Sequence, residues 1–152
     1  MQLTNKVCLV TGGTRGIGAA TALACAEAGA SVALVARRLD AAAEQVRASI
    51  AQLGRKCLLI QGDLAKPETA ARCVEQTVVE LGPVDVLVHS AGGPVPGGLL
   101  QLNPSDWYAA FDVHVHAIFH LCRAVIPQMQ QRREGAIVLV SSSAGIRGIK
   151  SN

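Results

Sequence analysis

Glycines at positions 12, 16 and 18 stand between the apolar run Val7, Cys8, Leu9, Val10 and an alanine-rich stretch of helical character. A strand that ends in such a turn and feeds a helix leaves the helix's first N–H groups unpaired and aimed at one small volume, where a phosphate can accept them. Glycine permits the sharp turn, the close approach of a bulky anion and tight packing of helix on sheet. The spacing, Gly12-x-x-x-Gly16-Ile17-Gly18, differs from the commoner GxGxxG dinucleotide fingerprint, but the strand before it and the helix after it supply the context that fingerprint needs.

About twenty residues further on, a unit that binds NAD commonly offers a carboxylate to the ribose 2′-hydroxyl, whereas a 2′-phosphate needs cations there. This chain has Arg37 and Arg38 at that place, with Arg15 inside the glycine turn and Thr14 beside it. A guanidinium fork suits a phosphate and a carboxylate would repel it, so the charges favour NADP over NAD. The competing reading is that Arg37 and Arg38 only solvate the start of a helix. His116 and His120, four apart, could share a helix face around a metal, but two histidines without a third ligand are a weak zinc signature. No metal is therefore expected, and the pair reads equally as a surface that is exposed or packed on another subunit.

These groups need a scaffold that gathers them. Apolar runs rich in β-branched residues alternate with longer stretches of helical period, which is the pattern of repeated βαβ units. Strands are expected at about 6–11, 31–36, 57–61, 85–89 and 136–141. Helices are expected at about 15–28, 40–54, 67–82 and 104–131, the first three ended by Gly29, Gly54 and Gly82 in a left-handed cap. Asn103 reads as the N-cap of the fourth helix, with Pro104 at its first position and Asp106 at the positive end of its dipole. Right-handed crossovers give one doubly wound parallel α/β sheet of the Rossmann type, order 3-2-1-4-5, with a ligand crevice between strands 1 and 4. Residues 11–18, Arg37, Asp63, residues 90–93 and residues 141–143 all fall at strand C-termini facing it.

Composition agrees. Half of the 152 residues are apolar and only 16% are charged, with few aromatic rings, so a core of Ala, Val, Leu and Ile fits a sheet flanked by helices. The length is that of one domain. A formal charge of +3 without a basic stripe argues against nucleic acid. No signal-type segment and no apolar run of bilayer length is read, so no membrane partner is expected and the cytoplasm is the default. Five cysteines without a CxxC pair read as buried free thiols in a reducing compartment.

Taken together, Thr11-Gly12-x-x-x-Gly16-Ile17-Gly18, Asp63-Leu64, Ala91-Gly92 and Ser142-x-x-Gly145 resemble the short-chain dehydrogenase/reductase family, in family order along the chain. The resemblance implies that the glycine turn holds the cofactor pyrophosphate. It implies that Asp63 and Leu64 border the adenine, and that Ser90, Ala91 and Gly92 lie beside the ribose and nicotinamide. Ser142 would hydrogen-bond a substrate carbonyl or alcohol, and the fourth helix would build a homo-oligomer interface. Asp63 also reads as a simple turn former, and Ser141 or Ser143 could replace Ser142.

The chain departs from the family in three places. The Asn-Asn-Ala-Gly turn expected after the fourth strand reads His89-Ser90-Ala91-Gly92, and His114 stands where a relay asparagine is expected. Either imidazole could be structural, and His114 could pass protons in a relay. The Tyr-x-x-x-Lys pair on which family chemistry depends is absent: the sequence reaches Asn152 before that position, Tyr108 is followed four residues later by Asp112, and Lys150 does not match the motif. The expectation is thus an NADP-dependent oxidoreductase by descent, or a non-catalytic NADP-binding fragment or pseudoenzyme by residue inventory. A C-terminally incomplete domain would also leave the fifth strand an apolar edge prone to aggregation.

Overall fold

The computed structural model describes residues 2–95 and 97–145; Lys150 and Asn152 lie outside them. Five parallel strands form one sheet in the order β3-β2-β1-β4-β5: β1 Val7–Thr11, β2 Ser31–Ala36, β3 Cys57–Gln61, β4 Val86–His89 and β5 Ala136–Leu139. This is the doubly wound Rossmann-type arrangement read from the periodicity. Between the strands lie α1 Gly16–Glu27, α2 Ala41–Gln52 and α3 Pro67–Leu81, and the last crossover carries α4 Pro104–Phe111 and α5 Ala117–Arg132.

Strand alternation divides the core. Cys8 and Val10 of β1, Val32 and Leu34 of β2 and Val88 of β4 face Ala22 and Ala26 of α1 and Ile50 of α2. Leu9, Ala33, Val35 and Leu87 face the other way, onto Ala70, Cys73 and Val74 of α3 and Leu121, Val125 and Met129 of α5. The period of two along each strand thus covers both faces of the sheet.

The far end of the sheet is clipped by one buried carboxylate. Asp85, 7% exposed, accepts the Val7 N–H at 2.8 Å and the Arg132 Nη1 at 2.6 Å, while Arg132 Nη2 donates to Val84 O at 2.7 Å. The end of α5 is therefore tied to the starts of β1 and β4.

Several expectations need correction. The fourth helix is continuous over Pro104–Arg132, but Asp112–His116 is π-helical. Asn103 occupies the N-cap position without capping: its side chain makes no bond to the helix N–H groups and reaches Asp106 Oδ2 at 3.4 Å instead. Gly54 takes the left-handed φ of +70°, yet Gly82, at φ +108° and ψ −179°, leaves its helix in an extended turn. Of the five free cysteines, Cys8 and Cys73 are buried and Cys25, Cys57 and Cys122 only partly so. The helix Pro104–Arg132, with a window of mean hydropathy 1.3, is by length and composition long and apolar enough to cross a bilayer. The sequence reading missed this because charges and histidines interrupt the run; in the fold its Ala117, Leu121, Val125 and Met129 face packs on the sheet.

Candidate nucleotide-binding cleft

The β1–α1 turn is shaped by two close approaches. Gly12 has φ +66°, and a Cβ there would stand 2.9 Å from the backbone N of Ala91. A Cβ on Gly18 would strike the Gly12 carbonyl, so the first turn of α1 is pressed onto the loop before it. Arg15, at the N-cap of α1, makes no side-chain bond to the helix N–H groups, which leaves those donors without a side-chain cap.

Thr11 and His89, at the C-termini of neighbouring strands, join this turn to the next one. The Thr11 Oγ1 accepts the N–H groups of Ser90 and Ala91, both at 3.2 Å, and lies 2.9 Å from His89 Nδ1. His89 Nε2 lies 3.1 Å from Val113 O in the π-helical segment. A carbonyl only accepts, so the proton sits on Nε2 and the Thr11 hydroxyl donates to Nδ1. Burial pushes the His89 pKa below its ordinary value, which keeps this ring neutral. His89 thus takes the structural reading, bridging β1, the turn after β4 and the long helix. His114 is exposed, and its Nε2 lies 3.1 Å from Gly93 O.

These turns enclose a cleft of about 930 Å³. Of the residues singled out in sequence, Gly12, Thr14, Arg15, Arg37, Arg38, Asp63, Leu64, Ser90, Ala91, Gly92 and His114 line it. Gly16, Ile17 and Gly18 are not among its lining residues; they form the first turn of α1, next to the lining residues Thr14 and Arg15. Ser142 does not line it either: its exposed Oγ accepts the Ala144 N–H at 3.2 Å, the bond of a turn serine. Asp63 combines both of its readings, since it lines the cleft and its Oδ1 accepts the Ala65 N–H at 3.2 Å. His116 pairs with Asp112 at 3.0 Å, not with His120, and among the described residues no three His, Cys, Asp or Glu groups converge on a metal position.

Sequence reasoning missed Asp40 and the inner wall made by Asp106, Ala109, Ala110 and Val113. Asp40 is the N-cap of α2, its Oδ1 accepting the Ala42 and Ala43 N–H groups, and its Oδ2 is 2.6 Å from Arg15 Nη2. The Ala43 N–H and the Arg15 guanidinium hold its carboxyl below the usual carboxylate range. An aspartate just before a helix was the available signal for a cap; its ion pair spans 25 residues and leaves no local trace.

The arrangement fits an extended anion. A backbone cradle that a side chain at Gly12 would fill lines the cleft together with three arginines, Arg15, Arg37 and Arg38.

The sequence matches the short chain dehydrogenase family profile over residues 6–152. It is 40% identical over 148 residues to an uncharacterized oxidoreductase of Mycobacterium tuberculosis, an alignment covering 95% of this chain and 55% of that one. A short chain dehydrogenase from Burkholderia cenocepacia, solved in complex with NADP, superposes with a TM-score of 0.90 at 34% identity, covering 100% of this chain and 61% of that one. An NAD+-bound xylitol dehydrogenase superposes with a TM-score of 0.92 at 31% identity, covering 99% and 58%. The chain therefore spans little more than half the length of these relatives.

Proposed function

Because this chain belongs to the short-chain dehydrogenase family, we propose that its cleft binds NADP and that the whole protein moves a hydride between that cofactor and a small carbonyl compound or secondary alcohol. The observation that carries the cofactor choice is the presence of Arg15, Arg37 and Arg38 on the same cleft as the Gly12 cradle. When bound, the cofactor supplies the hydride; the residues described here hold and orient it. N–H groups at the start of α1 take the diphosphate, the arginines take the 2′-phosphate, and Asp63 with Leu64 borders the adenine.

Ser142 remains the candidate to bind the substrate oxygen, and His114, beside the Gly92–Gly93 turn, the candidate for a proton relay. These 152 residues contain no Tyr-x-x-x-Lys, and Tyr108 is exposed on α4, so this stretch by itself is proposed to bind cofactor without turnover. Loss of a positioned general acid costs roughly 10²–10⁴ in rate. Trp107, Phe111, Val115 and Phe119, exposed at intervals of four along the long helix, support the reading that this face pairs two copies of the chain.

The test is a fluorescence titration with NADPH and NADH. Arg37→Asp is expected to weaken NADPH by about 10- to 100-fold, the worth of a charge-assisted hydrogen bond, with NADH within about threefold. Absence of saturable binding by the unmodified protein would remove the reading.

A further inference from the structure

Arg15 is already engaged. Its Nη2 donates to Asp40 Oδ2 at 2.6 Å, across the gap between the β1–α1 turn and the start of α2. Asp40 is anchored on its own side of that gap, because its other oxygen accepts the Ala42 and Ala43 N–H groups at 3.1 and 3.3 Å. A carboxylate thus lines the same cleft as Arg37 and Arg38, whose side chains make no ion pair among the described residues. It opposes a phosphate there by like charge and occupies one of the three guanidiniums a phosphate would use. It also offers an acceptor that an unphosphorylated ribose hydroxyl can satisfy.

We propose that Asp40 is a specificity-determining residue that moderates the 2′-phosphate preference of this cleft, withholding Arg15 from the phosphate and keeping NAD admissible. The inference rests on the nucleotide reading of the cleft and assigns within it a residue acting against the arginines. Both partners are well exposed, 69% for Arg15 and 46% for Asp40, so the pair is a weak latch that a dianionic phosphate opens at modest cost.

Asp40→Ser tests this, because serine caps a helix about as well as aspartate and carries no charge. NADPH and NADH are titrated at one ionic strength against the unmodified protein, Asp40→Ser, Arg15→Gln and the double variant, with unfolding curves as a check that α2 is intact. The expected result is a rise of about three- to fivefold in the ratio of NADPH to NADH affinity for Asp40→Ser, in line with an exposed pair. In the Arg15→Gln background that rise should shrink to the remaining like-charge effect, under about twofold. A ratio that is unchanged or falls in Asp40→Ser overturns the proposal while leaving the nucleotide reading intact. An equal rise with and without Arg15 overturns the latch. Failure of the unmodified protein to bind either dinucleotide overturns the nucleotide reading itself, and this inference with it.

Discussion

His89 Nε2 and Val113 O meet at 3.1 Å where the long helix lining the cleft is π-helical. In an α-helix the Ala117 N–H would take Val113 O; here it reaches Asp112 O, five residues back, and Val113 O lies against the imidazole. With Thr11 at its other nitrogen, His89 fastens β1, the β4 turn and the cleft's inner wall into one unit.

Acid should loosen that unit. The folded His89 pKa lies below its ordinary 6.5, so the unfolded chain binds the proton first as pH falls. The contribution is therefore complete above about pH 6.5 and is lost as pH drops through the lowered folded value. Urea midpoints between pH 7.5 and 5 should fall more steeply for the unmodified protein than for His89→Asn; parallel curves would contradict the assignment.

Arg132→Ala strands Asp85 in a buried position with only the Val7 N–H and the Lys6 ammonium, 3.8 Å away, near it. The expected cost is about 3 kcal/mol in urea denaturation, with Arg132→Lys recovering part of it. NADPH affinity per folded molecule should change little, since the clip lies at the end of the sheet opposite the cleft.

Gly12→Ala places a Cβ 2.9 Å from the Ala91 backbone in a left-handed conformation. Both effects oppose the native turn, and the left-handed region alone costs an L-residue roughly 1–2 kcal/mol. A loss of about 2 kcal/mol in stability together with at least about tenfold weaker NADPH binding is expected from calorimetry and titration. Wild-type affinity in a folded variant would exclude this turn as the cradle.

Phe119→Glu puts a carboxylate in the exposed apolar row of the long helix, beside the Arg123 guanidinium that lies 5.5 Å from the Phe119 ring centre. Under the pairing reading, light scattering should show the dimer mass halve at micromolar concentration while NADPH binding is retained. An unchanged mass would move the interface elsewhere.

The strands and the glycine turn were legible because both depend on local regularities, apolar runs of strand length, helical stretches between them and glycines at a β-to-α junction, and the strand order followed from right-handed crossovers between such strands. The arginines were legible for a similar reason, since Arg37 follows β2 directly. The π turn was not, because Asp112, Val113 and His114 have no distinctive helical composition, and the side chain that meets the segment belongs to a histidine more than twenty residues away in sequence. Asp40 could be read only as the start of a helix; its pairing with Arg15 required the two turns to be brought side by side.

The amino-acid sequence alone therefore determined the βαβ plan, the glycine turn at the first β-to-α junction and the arginines near it, since each follows from residue type and short-range spacing. Tertiary structure decided which charges are free and which are spent, which histidine is locked and which exposed, and where the long helix changes its pitch. Hydrogen bonds and ion pairs between distant segments are chosen by packing, and packing is not a local property of the chain.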